Sequence, residues 1–481
     1  MSLRFHNQLS KTVDTFEPST PGQVSLYTCG PTVYNYPHIG NWGANIYWDT
    51  LVRTLLSQDL KVTRVMNITD VGHLTSDADD GEDKLEKGAR REGKTAWEVA
   101  EFYTDDFLGG MKRLNLLKPT FITKATNYIP QQLALVQTLK DRGFTYQISD
   151  GIYFDTAKFP TYAEFGGLDL AAQQAGARVE FNKEKRNASD FALWKFTPAG
   201  EKRDMEWPTP PELTDDGKER YGFPGWHLEC SAMAMTHLGD TIDMHTGGID
   251  HIPVHHTNEI AQSEAATGKL FSRFWLHNNH LKVNGTKISK SLDNGYTLDD
   301  LETRGYTPLD FRLFILQSHY RTEGNFTFEN LDAAKNRLHN WRNFAALRHQ
   351  IHDGLEPKSD TIETLLREAI PAMRSDIADD LNTPEVLRVT DEVFSVLEKR
   401  SLDVIPRPAF LQFLEEIDSL LGLQLLETTA DIDDDTKRLI LERERVREAK
   451  DWTQSDTLRT EIEKNSIIIR DTGHGTVWEY K

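Results

Sequence analysis

The sequence predicts an α/β fold, in which a Rossmann-like parallel-sheet domain with an insertion precedes a helical bundle and a small C-terminal unit. A β-rich run at 24–29 is followed by a helical stretch at 45–56 and a second strand at 61–68. This order is typical of a parallel sheet that binds ligands at the carboxyl ends of its strands. Beyond residue 329, apolar residues recur at helical spacing, which predicts the bundle. At 481 residues the chain is too long for one compact core.

Composition and charge limit the class of protein. Hydrophobic residues make up 38% of the chain, which is enough to form several buried cores. No apolar run approaches the ~20 residues of a membrane-spanning helix, and the N-terminus lacks the apolar stretch of a secretory signal. We therefore expect a cytoplasmic protein without a membrane partner. The formal net charge of −20 disfavours a nucleic-acid partner, although a polyanion can still dock on a local basic strip.

Cys29 and Cys230 are the cysteines of the chain. They can be buried free thiols, a long-range disulfide, which intracellular proteins rarely contain, or a pair of metal thiolates. Cys29 ends the first strand, and Cys230 ends a strand-like run. Because the ends of parallel strands can converge on one edge of a sheet, the two thiols can meet there.

Histidines are concentrated between residues 236 and 256. His255 and Glu259 are four residues apart, so on a helix they share a face and can bind one ion. His256 is rotated by about 100° from His255 and should point elsewhere. The alternative is a set of ordinary polar residues near a sheet edge. A mixed sulfur, nitrogen and oxygen site suited to zinc would comprise Cys29, Cys230, His255 and Glu259.

Two short motifs indicate a nucleotide site. His38-Ile39-Gly40-Asn41 follows a strand and opens a helix, whose free N–H groups and positive dipole end favour phosphates. The motif GTKISKS at 285–291 can neutralise the charge that develops during transfer at an α-phosphate. Each motif alone is also compatible with an ordinary helix start or a basic surface loop. Their order at the two ends of an α/β domain favours nucleotide activation.

These motifs resemble those of the class I aminoacyl-tRNA synthetases, and within that class the chain resembles the cysteinyl-tRNA synthetases. The motif at 38–41 corresponds to His-Ile-Gly-His, and the motif at 287–291 corresponds to Lys-Met-Ser-Lys-Ser. Longer family-like segments extend over nearly the whole chain: YTCGPTVY at 27–34, NITD at 67–70, GWHLECSAM at 225–233, HHTNEIAQSE at 255–264, DLNTPE at 380–385 and AKDW at 449–452.

The resemblance implies a zinc ion, one per chain, that binds the thiolate of the substrate L-cysteine. Its implied ligands are Cys29, Cys230, His255 and Glu259. Zinc prefers thiolate to hydroxyl, so serine is rejected at the metal and no editing domain is expected. The implied cysteine-binding residues are Cys29, Thr69, Trp226 and His245.

The resemblance also implies two steps with ATP, bound with Mg²⁺. The cysteine carboxylate attacks the α-phosphate, and the 3′-terminal ribose of tRNA(Cys) then attacks cysteinyl-adenylate. His38, Lys287 and Lys290 are the implied catalytic residues, which act by positioning and charge stabilisation. The implied ATP-binding residues are His38, Gly40, Asn41, Gly247, Gly248, Asp250, Lys287 and Lys290.

The C-terminal segment is the implied anticodon-binding part. From residue 436 onward, ten lysines and arginines nearly balance nine aspartates and glutamates. Basic residues beside aromatic ones suit unstacked bases and phosphates. A salt-bridged, solvated helix is the alternative, and the family expectation is a monomer. The implied tRNA-binding residues are Arg447, Lys450, Trp452 and Trp478.

The expected organisation combines these assignments. The segments are the first half of the catalytic domain (1–115), a connective insertion (116–205), the second half of the catalytic domain (206–281), the Lys-Ile-Ser-Lys-Ser loop and linking fold (282–328), a helical bundle (329–430) and the anticodon-binding unit (436–481).

Some positions depart from the family's pattern. Asn41 stands where many class members have histidine, and an arginine is common near 42–45. Thr246 replaces the first of three glycines, which would crowd the adenosine side. Two rival functions stay open. A ligase that joins activated cysteine to an amino sugar would lack the C-terminal unit, and a catalytically silent tRNA-binding paralogue would not need the lysines and zinc ligands.

Overall fold

The structure is a computed structural model, and it describes residues 2–72, 84–169, 182–289, 292–351, 358–472 and 475–481. These residues form two compact units. The first comprises Ser2–Arg304 and Tyr320–Asn325, and the second comprises Gly305–His319 and Phe326–Lys481. Within the described ranges, no helix is long and apolar enough to cross a membrane.

The strands are numbered in chain order. They are β1 (Leu3–Asn7), β2 (Thr12–Phe16), β3 (Gln23–Thr28), β4 (Lys61–Ile68), β5 (Phe121–Lys124), β6 (Thr145–Ile148), β7 (Gly151–Phe154), β8 (Phe191–Phe196), β9 (Trp207–Thr209), β10 (Arg220–Pro224), β11 (Ile242–Gly248), β12 (Ser272–Asn278), β13 (Leu281–Val283), β14 (Thr286–Lys287), β15 (Gly324–Phe326), β16 (Ile467–Thr472) and β17 (Gly475–Tyr480).

The α-helices are numbered in the same way, and a π-helix at Ile252–His256 precedes the sixth of them. They are α1 (Ile39–Leu56), α2 (Lys84–Glu92), α3 (Ala96–Arg113), α4 (Ile129–Asp141), α5 (Trp226–Leu238), α6 (Thr257–Thr267), α7 (Leu298–Thr303), α8 (Pro308–Leu316), α9 (Phe328–Ala346), α10 (Asp360–Ala378), α11 (Thr383–Leu397), α12 (Arg407–Leu421), α13 (Asp434–Glu448) and α14 (Trp452–Lys464).

The first unit is built on a five-stranded sheet in the order β12-β11-β3-β4-β5, and every neighbouring pair is parallel. The predicted Rossmann-like parallel sheet is therefore confirmed. The last five residues of β4 are all buried, as expected for a parallel strand that is covered on both faces. Thr28 of β3 is aligned with Thr246 of β11, so residues that follow these two strands meet at one edge of the sheet.

The insertion forms a second five-stranded sheet, in the antiparallel order β6-β7-β8-β10-β9. Its boundaries differ from the predicted 116–205. β5 lies inside that range but pairs with β4 of the parallel sheet, and β10 extends the antiparallel sheet to Pro224. Short strands such as β5 and β9 carry no local signal for the sheet that they join, because pairing depends on residues distant in sequence.

In the second unit, α9 begins one residue before the range predicted for the helical bundle, and α10 to α12 lie within it. The helices α13 and α14 are followed by the antiparallel hairpin of β16 and β17. A small apolar core lies among these last elements. Its residues are Ala346, Ile432, Ile462, Ile467, Ile469 and Trp478.

An ion pair ties α13 to the hairpin. The buried guanidinium of Arg443 donates to both carboxylate oxygens of Asp471, at 2.9 and 2.7 Å. Arg447 also pairs with Asp471. The hydrogen bonds from Arg443 hold the pKa of Asp471 at about 2, below its ordinary value of 3.8. Because the carboxylate is stabilised in the folded state, this pair stabilises the fold above pH ~4, and the contribution is lost as pH falls towards 2.

Asp471→Asn is expected to lower the free energy of opening of β16 and β17 by about 1 kcal/mol at pH 6, since solvent screening weakens the effect at this partly exposed carboxylate. Amide hydrogen exchange of the two strands, corrected for intrinsic rates, measures this difference. The difference between wild type and variant should shrink between pH 4 and pH 2. The exposed Glu461→Gln on α14 is the matched control and should exchange like wild type. Equal protection of Asp471→Asn and wild type at pH 6 would contradict the assignment.

Candidate active site

The residues predicted to bind zinc lie at the carboxyl edge of the parallel sheet. Cys29 directly follows β3, and its N–H donates to the carbonyl oxygen of Thr246 at 3.2 Å. Cys230 is buried in α5, His255 lies in the π-helix, and Glu259 lies in α6. The prediction that Cys230 ends a strand was wrong. The mixed run that starts after Gly225 shows no clear apolar spacing and is compatible with either structure, and here it forms a largely buried helix.

The structure brings the possible ligands into two overlapping groups. In each group, one ligand atom from every member lies within 4.8 Å of one from every other member. Cys29 belongs to both groups, so the four predicted zinc ligands are divided between adjoining clusters. The first group is Cys29, Cys230 and His255, and the second is Cys29, His245, His256 and Glu259.

Glu259 lies at the centre of the second group and is fully buried. Three imidazole Nε2 atoms surround its Oε2: His245 at 3.1 Å, His255 at 3.5 Å and His256 at 3.8 Å. Within the described part of the chain, this oxygen nevertheless accepts no hydrogen bond. Burial raises the pKa of Glu259 well above its ordinary value. A buried carboxylate oxygen among imidazoles and a thiol is suited to a cation.

His256 contradicts the expectation that it points away from the site. Its Nε2 lies 3.6 Å from the Cys29 Sγ, and its Nδ1 lies 2.8 Å from the Nε2 of His277. The reason is the π-helix at Ile252–His256, whose wider turn changes the direction of each side chain relative to an α-helix. Burial and the neighbouring histidines hold the pKa of His256 well below its ordinary value, which favours the neutral ring that metals bind.

His245 is fully buried in β11 and takes part in the same cluster. Its ring stacks on Trp275 at a centroid distance of 4.5 Å, and burial lowers its pKa to about 3. Tyr27 of β3 lies against it, with ring centroids 5.1 Å apart. Burial also raises the pKa of the Cys29 thiol. Sequence reasoning missed Tyr27, His256 and His277 as parts of the site. For the two histidines, the high density of histidines in this part of the chain was the available signal.

Trp226 adjoins the cluster, and Thr69 lies next to the segment that follows Cys29, where its N–H donates to the carbonyl oxygen of Pro31. The indole of Trp226 stacks on the His255 ring at 4.5 Å, with 25° between the planes. Thr69 is buried beyond the end of β4, where its hydroxyl accepts a hydrogen bond from the Asn67 amide at 3.1 Å. An aromatic face on His255 and a buried hydroxyl near the segment after Cys29 are suited to a small polar ligand.

His38 caps the N-terminus of α1. Its Nδ1 accepts hydrogen bonds from the N–H groups of Gly40 and Asn41, at 3.1 and 3.3 Å. The Asn41 Oδ1 accepts in return from the His38 N–H at 3.1 Å, which completes a capping box. The departure at Asn41 thus has a structural role in fixing the helix start. Burial lowers the pKa of His38, so its ring is held neutral at the helix end.

The second motif lies over the first. A Cβ added to Gly40 would lie 3.1 Å from the Ile288 Cδ1, and the Ile39 N–H donates to the Tyr296 carbonyl at 2.8 Å. Lys287 is exposed on β14, opposite Lys282 of β13. Lys290 lies outside the described residues. Of the two predicted lysines, the structure therefore describes Lys287, which lies on the strand directly before Ile288.

Gly247 and Gly248 end β11, and the side chain of Asp250 follows on the surface. A Cβ on Gly247 would lie 2.6 Å from the His251 Nδ1 and 2.6 Å from the His256 Cε1, so no larger residue fits. Thr246 is buried, and its hydroxyl makes no hydrogen bond to another described residue.

Gly247→Ala is expected to lower the cysteine-dependent pyrophosphate exchange that the resemblance implies by about 10- to 100-fold, because the added methyl group displaces two imidazole rings of the site. Steady-state exchange rates measure the effect. Gly109→Ala on α3 is the control, since a Cβ there meets no atom within 4 Å, and it should keep the wild-type rate. A fully active Gly247→Ala would show that this close approach does not matter.

The predicted tRNA-binding residues fall into different environments. Trp452 is 58% exposed at the start of α14, and Lys450 is exposed just before it. Arg447 is partly exposed and pairs with Asp471. Trp478 is 6% exposed in the apolar core, so its indole is not available to stack on a base in this structure. The prediction for Trp478 is corrected to a core role.

Two families match the chain. Residues 15–336 match the family described as tRNA synthetases class I (C) catalytic domain. Residues 429–478 match the family described as cysteinyl-tRNA ligase anticodon binding domain. Together these matches reach both units of the structure.

Curated proteins and a solved structure are also similar to the chain. It is 38% identical to the cysteine–tRNA ligase of Treponema denticola, over 100% of both chains. It is 42% identical to cysteine–tRNA ligase 1 of Burkholderia lata, over 99% of this chain and 96% of that one. The methionyl-tRNA synthetase of Mycobacterium tuberculosis in complex with methionyl-adenylate matches with a TM-score of 0.59, over 84% of this chain and 92% of that one. At 14% identity, this last likeness shows the fold alone.

The parallel sheet, the capped motif at its first helix and the match over 15–336 define a class I aminoacyl-tRNA synthetase. The relatives at about 40% identity cover the whole chain, and the C-terminal segment has its own match. Within that class, the chain belongs to the cysteine–tRNA ligase family.

Proposed function

We propose that this protein activates L-cysteine with ATP and transfers it to the 3′ end of tRNA(Cys), and that a zinc ion selects the cysteine thiolate. The observation that carries the proposal is the buried cluster of two thiols, imidazoles and a carboxylate at the carboxyl edge of the sheet. The family membership supports the same activity. In keeping with it, we propose a cytoplasmic enzyme that works as a monomer.

The donors present fit zinc. The proposed ligands are Cys29, Cys230, His255 and Glu259, and the thiols and one imidazole lie within 4.8 Å of one another. The Oε2 of Glu259 is buried and accepts no hydrogen bond from the described residues, which is the state expected of an oxygen reserved for a cation. When bound, zinc supplies a soft Lewis-acid position that prefers a thiolate to a hydroxyl.

The surrounding residues would hold these ligands in place. His245 contacts Glu259 and is itself clamped by the Trp275 ring, so the carboxylate has one preferred orientation. Trp226 stacks on His255 and fixes the plane of that ring. Such contacts around ligands raise the precision of a metal site. Thr69 and Trp226 would then bound the space for the amino acid.

On the ATP side, the chain would supply position and charge. The positive dipole end at the start of α1, beside the neutral His38, favours the phosphates of ATP with its Mg²⁺. Because Gly40 has no side chain, the His38 ring and Ile288 of the second motif can both lie close to this helix start. Lys287, with Lys290 three residues later in the sequence, would stabilise the charge that moves to pyrophosphate. Gly247, Gly248 and Asp250 would adjoin the adenosine.

At the other end of the chain, Trp452 and Lys450 are the exposed pair best suited to the anticodon. An exposed indole can stack on an unpaired base, and a nearby ammonium can contact a phosphate. Arg447 would add positive charge to this surface if it released its ion pair with Asp471. The match of 429–478 to an anticodon-binding family disfavours the amino-sugar ligase, which would lack this unit.

Amino-acid discrimination tests the proposal. Purified protein should catalyse pyrophosphate exchange with cysteine and exchange serine at least about 1,000-fold more slowly, because the selecting atom is sulfur. A chelator should abolish the cysteine activity, and added Zn²⁺ should restore it. Equal activity with both amino acids, or full activity in metal-free protein, would contradict selection by zinc.

A further inference from the structure

Two exposed aromatic rings lie next to the proposed ATP site. Tyr36 is 43% exposed and Phe102 of α3 is 44% exposed, with ring centroids 6.0 Å apart. Both rings rest edge-on against Tyr103, which is buried, at centroid distances of 5.1 Å. Lys94 extends over Phe102, with its Nζ 4.9 Å from the ring centroid. We call Tyr36, Phe102 and Lys94 the aromatic surface.

A cationic helix face adjoins the aromatic surface. The short helix α2 buries Leu85 and Ala89, and it packs against α3. Its opposite face exposes three basic side chains shortly before Lys94, namely Lys87, Arg90 and Arg91. Four exposed cations within eight residues are a local exception in a chain of net charge −20.

The exposed carboxylates of α3 limit this surface on one side. Glu98, Glu101 and Asp105 are exposed on that helix, beyond the aromatic rings. A polyanion that approached over α3 would be repelled by these carboxylates. An approach over α2 would instead meet the cations of its exposed face and Lys94. The charges therefore favour one direction of approach, from α2 towards Tyr36.

The aromatic surface is adjacent to the chemistry. Tyr36 is two residues from His38, the cap of α1, so their Cα atoms are within about 8 Å of each other. A strand that stacked on Tyr36 and Phe102 would have its next nucleotide near the start of α1. Stacking rings and cations in this order are the features that bind single-stranded nucleic acid without reading its sequence.

We propose that the aromatic surface and the cationic face of α2 bind the unpaired 3′ end of tRNA and lead its terminal ribose to the adenylate. This inference rests on the proposed function, since it requires that tRNA is the acceptor. Phe102 and Tyr36 stack on the bases that precede the terminal nucleotide. Lys94 and the cations of α2 contact the phosphates between them.

Phe102→Ala is expected to lower kcat/KM for tRNA about tenfold in cysteine charging, since the stacking contact between the ring and one base is lost. Lys94→Glu should lower it by a similar factor, and the loss should shrink at high salt. Both variants should keep the wild-type rate of cysteine-dependent pyrophosphate exchange, because that reaction needs no tRNA. In a tRNA with 2-aminopurine at the unpaired 3′ end, wild type should quench the fluorescence and Phe102→Ala should not.

The matched controls lie at the opposite edge of the parallel sheet. Phe121 is 40% exposed at the first residue of β5, and Lys61 is exposed at the first residue of β4. Phe121→Ala and Lys61→Glu should charge tRNA like wild type. If Phe102→Ala and Lys94→Glu charge as fast as these controls, or quench like wild type, the aromatic surface serves another partner and this inference is wrong. If wild type itself exchanges pyrophosphate but charges no tRNA, the proposed function fails instead.

Discussion

Replacing Cys230 with serine is expected to remove the bound zinc and to lower cysteine-dependent pyrophosphate exchange by about 100-fold or more. Cys230 is 1% exposed, and its Sγ lies within 4.8 Å of the Cys29 Sγ and of a His255 ring nitrogen. A hydroxyl is a hard, weakly acidic ligand, so the variant offers one thiolate where the proposed site has two. Changes to residues that only support metal ligands already cost 10- to 100-fold.

Zinc content and exchange rate should be measured on one preparation of each variant. Met235→Leu, on the same helix and similar in volume, is the control and should keep both the metal and the rate. The unfolding temperature of zinc-free wild type and zinc-free Cys230→Ser should be similar, which separates a lost ligand from a lost fold. A Cys230→Ser protein that retains about one zinc per chain and wild-type exchange would remove Cys230 from the ligand set.

Replacing Lys287 with alanine is expected to lower kcat for pyrophosphate exchange by about 100- to 1,000-fold. The side chain is exposed on β14, so the substitution leaves no cavity. Its ammonium group is proposed to stabilise charge that develops on the phosphates in the transition state. Removal of one such preorganised group typically costs this much. The KM for cysteine should stay near its wild-type value, because the proposed contact is with ATP.

Lys282→Ala is the matched control for Lys287→Ala. The two lysines face each other across the same antiparallel pair, but Lys282 forms an ion pair with Glu323 at 2.6 Å. Loss of this surface pair should change exchange by less than about threefold. If both variants lose activity equally, the hairpin as a whole is required, and a specific role for Lys287 is contradicted.

The fold was largely predictable, because it rests on periodic patterns. The strand–helix–strand order at 24–68 and the helical spacing after 329 predicted the parallel sheet and the bundle. The sequence did not show which sheet a short strand joins. At one end of the insertion β5 pairs within the parallel sheet, and at the other end β10 pairs within the antiparallel sheet. The spacing of apolar residues also could not separate a strand from a buried helix at Cys230, because polar residues such as His227 and Glu229 are buried there as well.

The candidate site was predictable in composition but not in detail. His255 and Glu259 meet as their spacing predicted, with the Nε2 of His255 3.5 Å from Oε2 of Glu259. His256 joins them because of a π-helix, for which no rule in the sequence was available. The burial of Trp478 was equally hidden, since a tryptophan near a chain end is compatible with a core or a surface. Lys290 lies outside the described residues, so its role stays a prediction.

One measurement tests the central claim most directly: cysteine charging of tRNA by purified protein, with metal content determined on the same sample. The expected result is radiolabelled cysteine on tRNA that bears the cysteine anticodon, with about one zinc per chain. Exchange with cysteine but no charged tRNA would contradict the proposed acceptor and favour an amino-sugar ligase. Neither reaction in zinc-loaded protein would contradict the enzymatic role altogether.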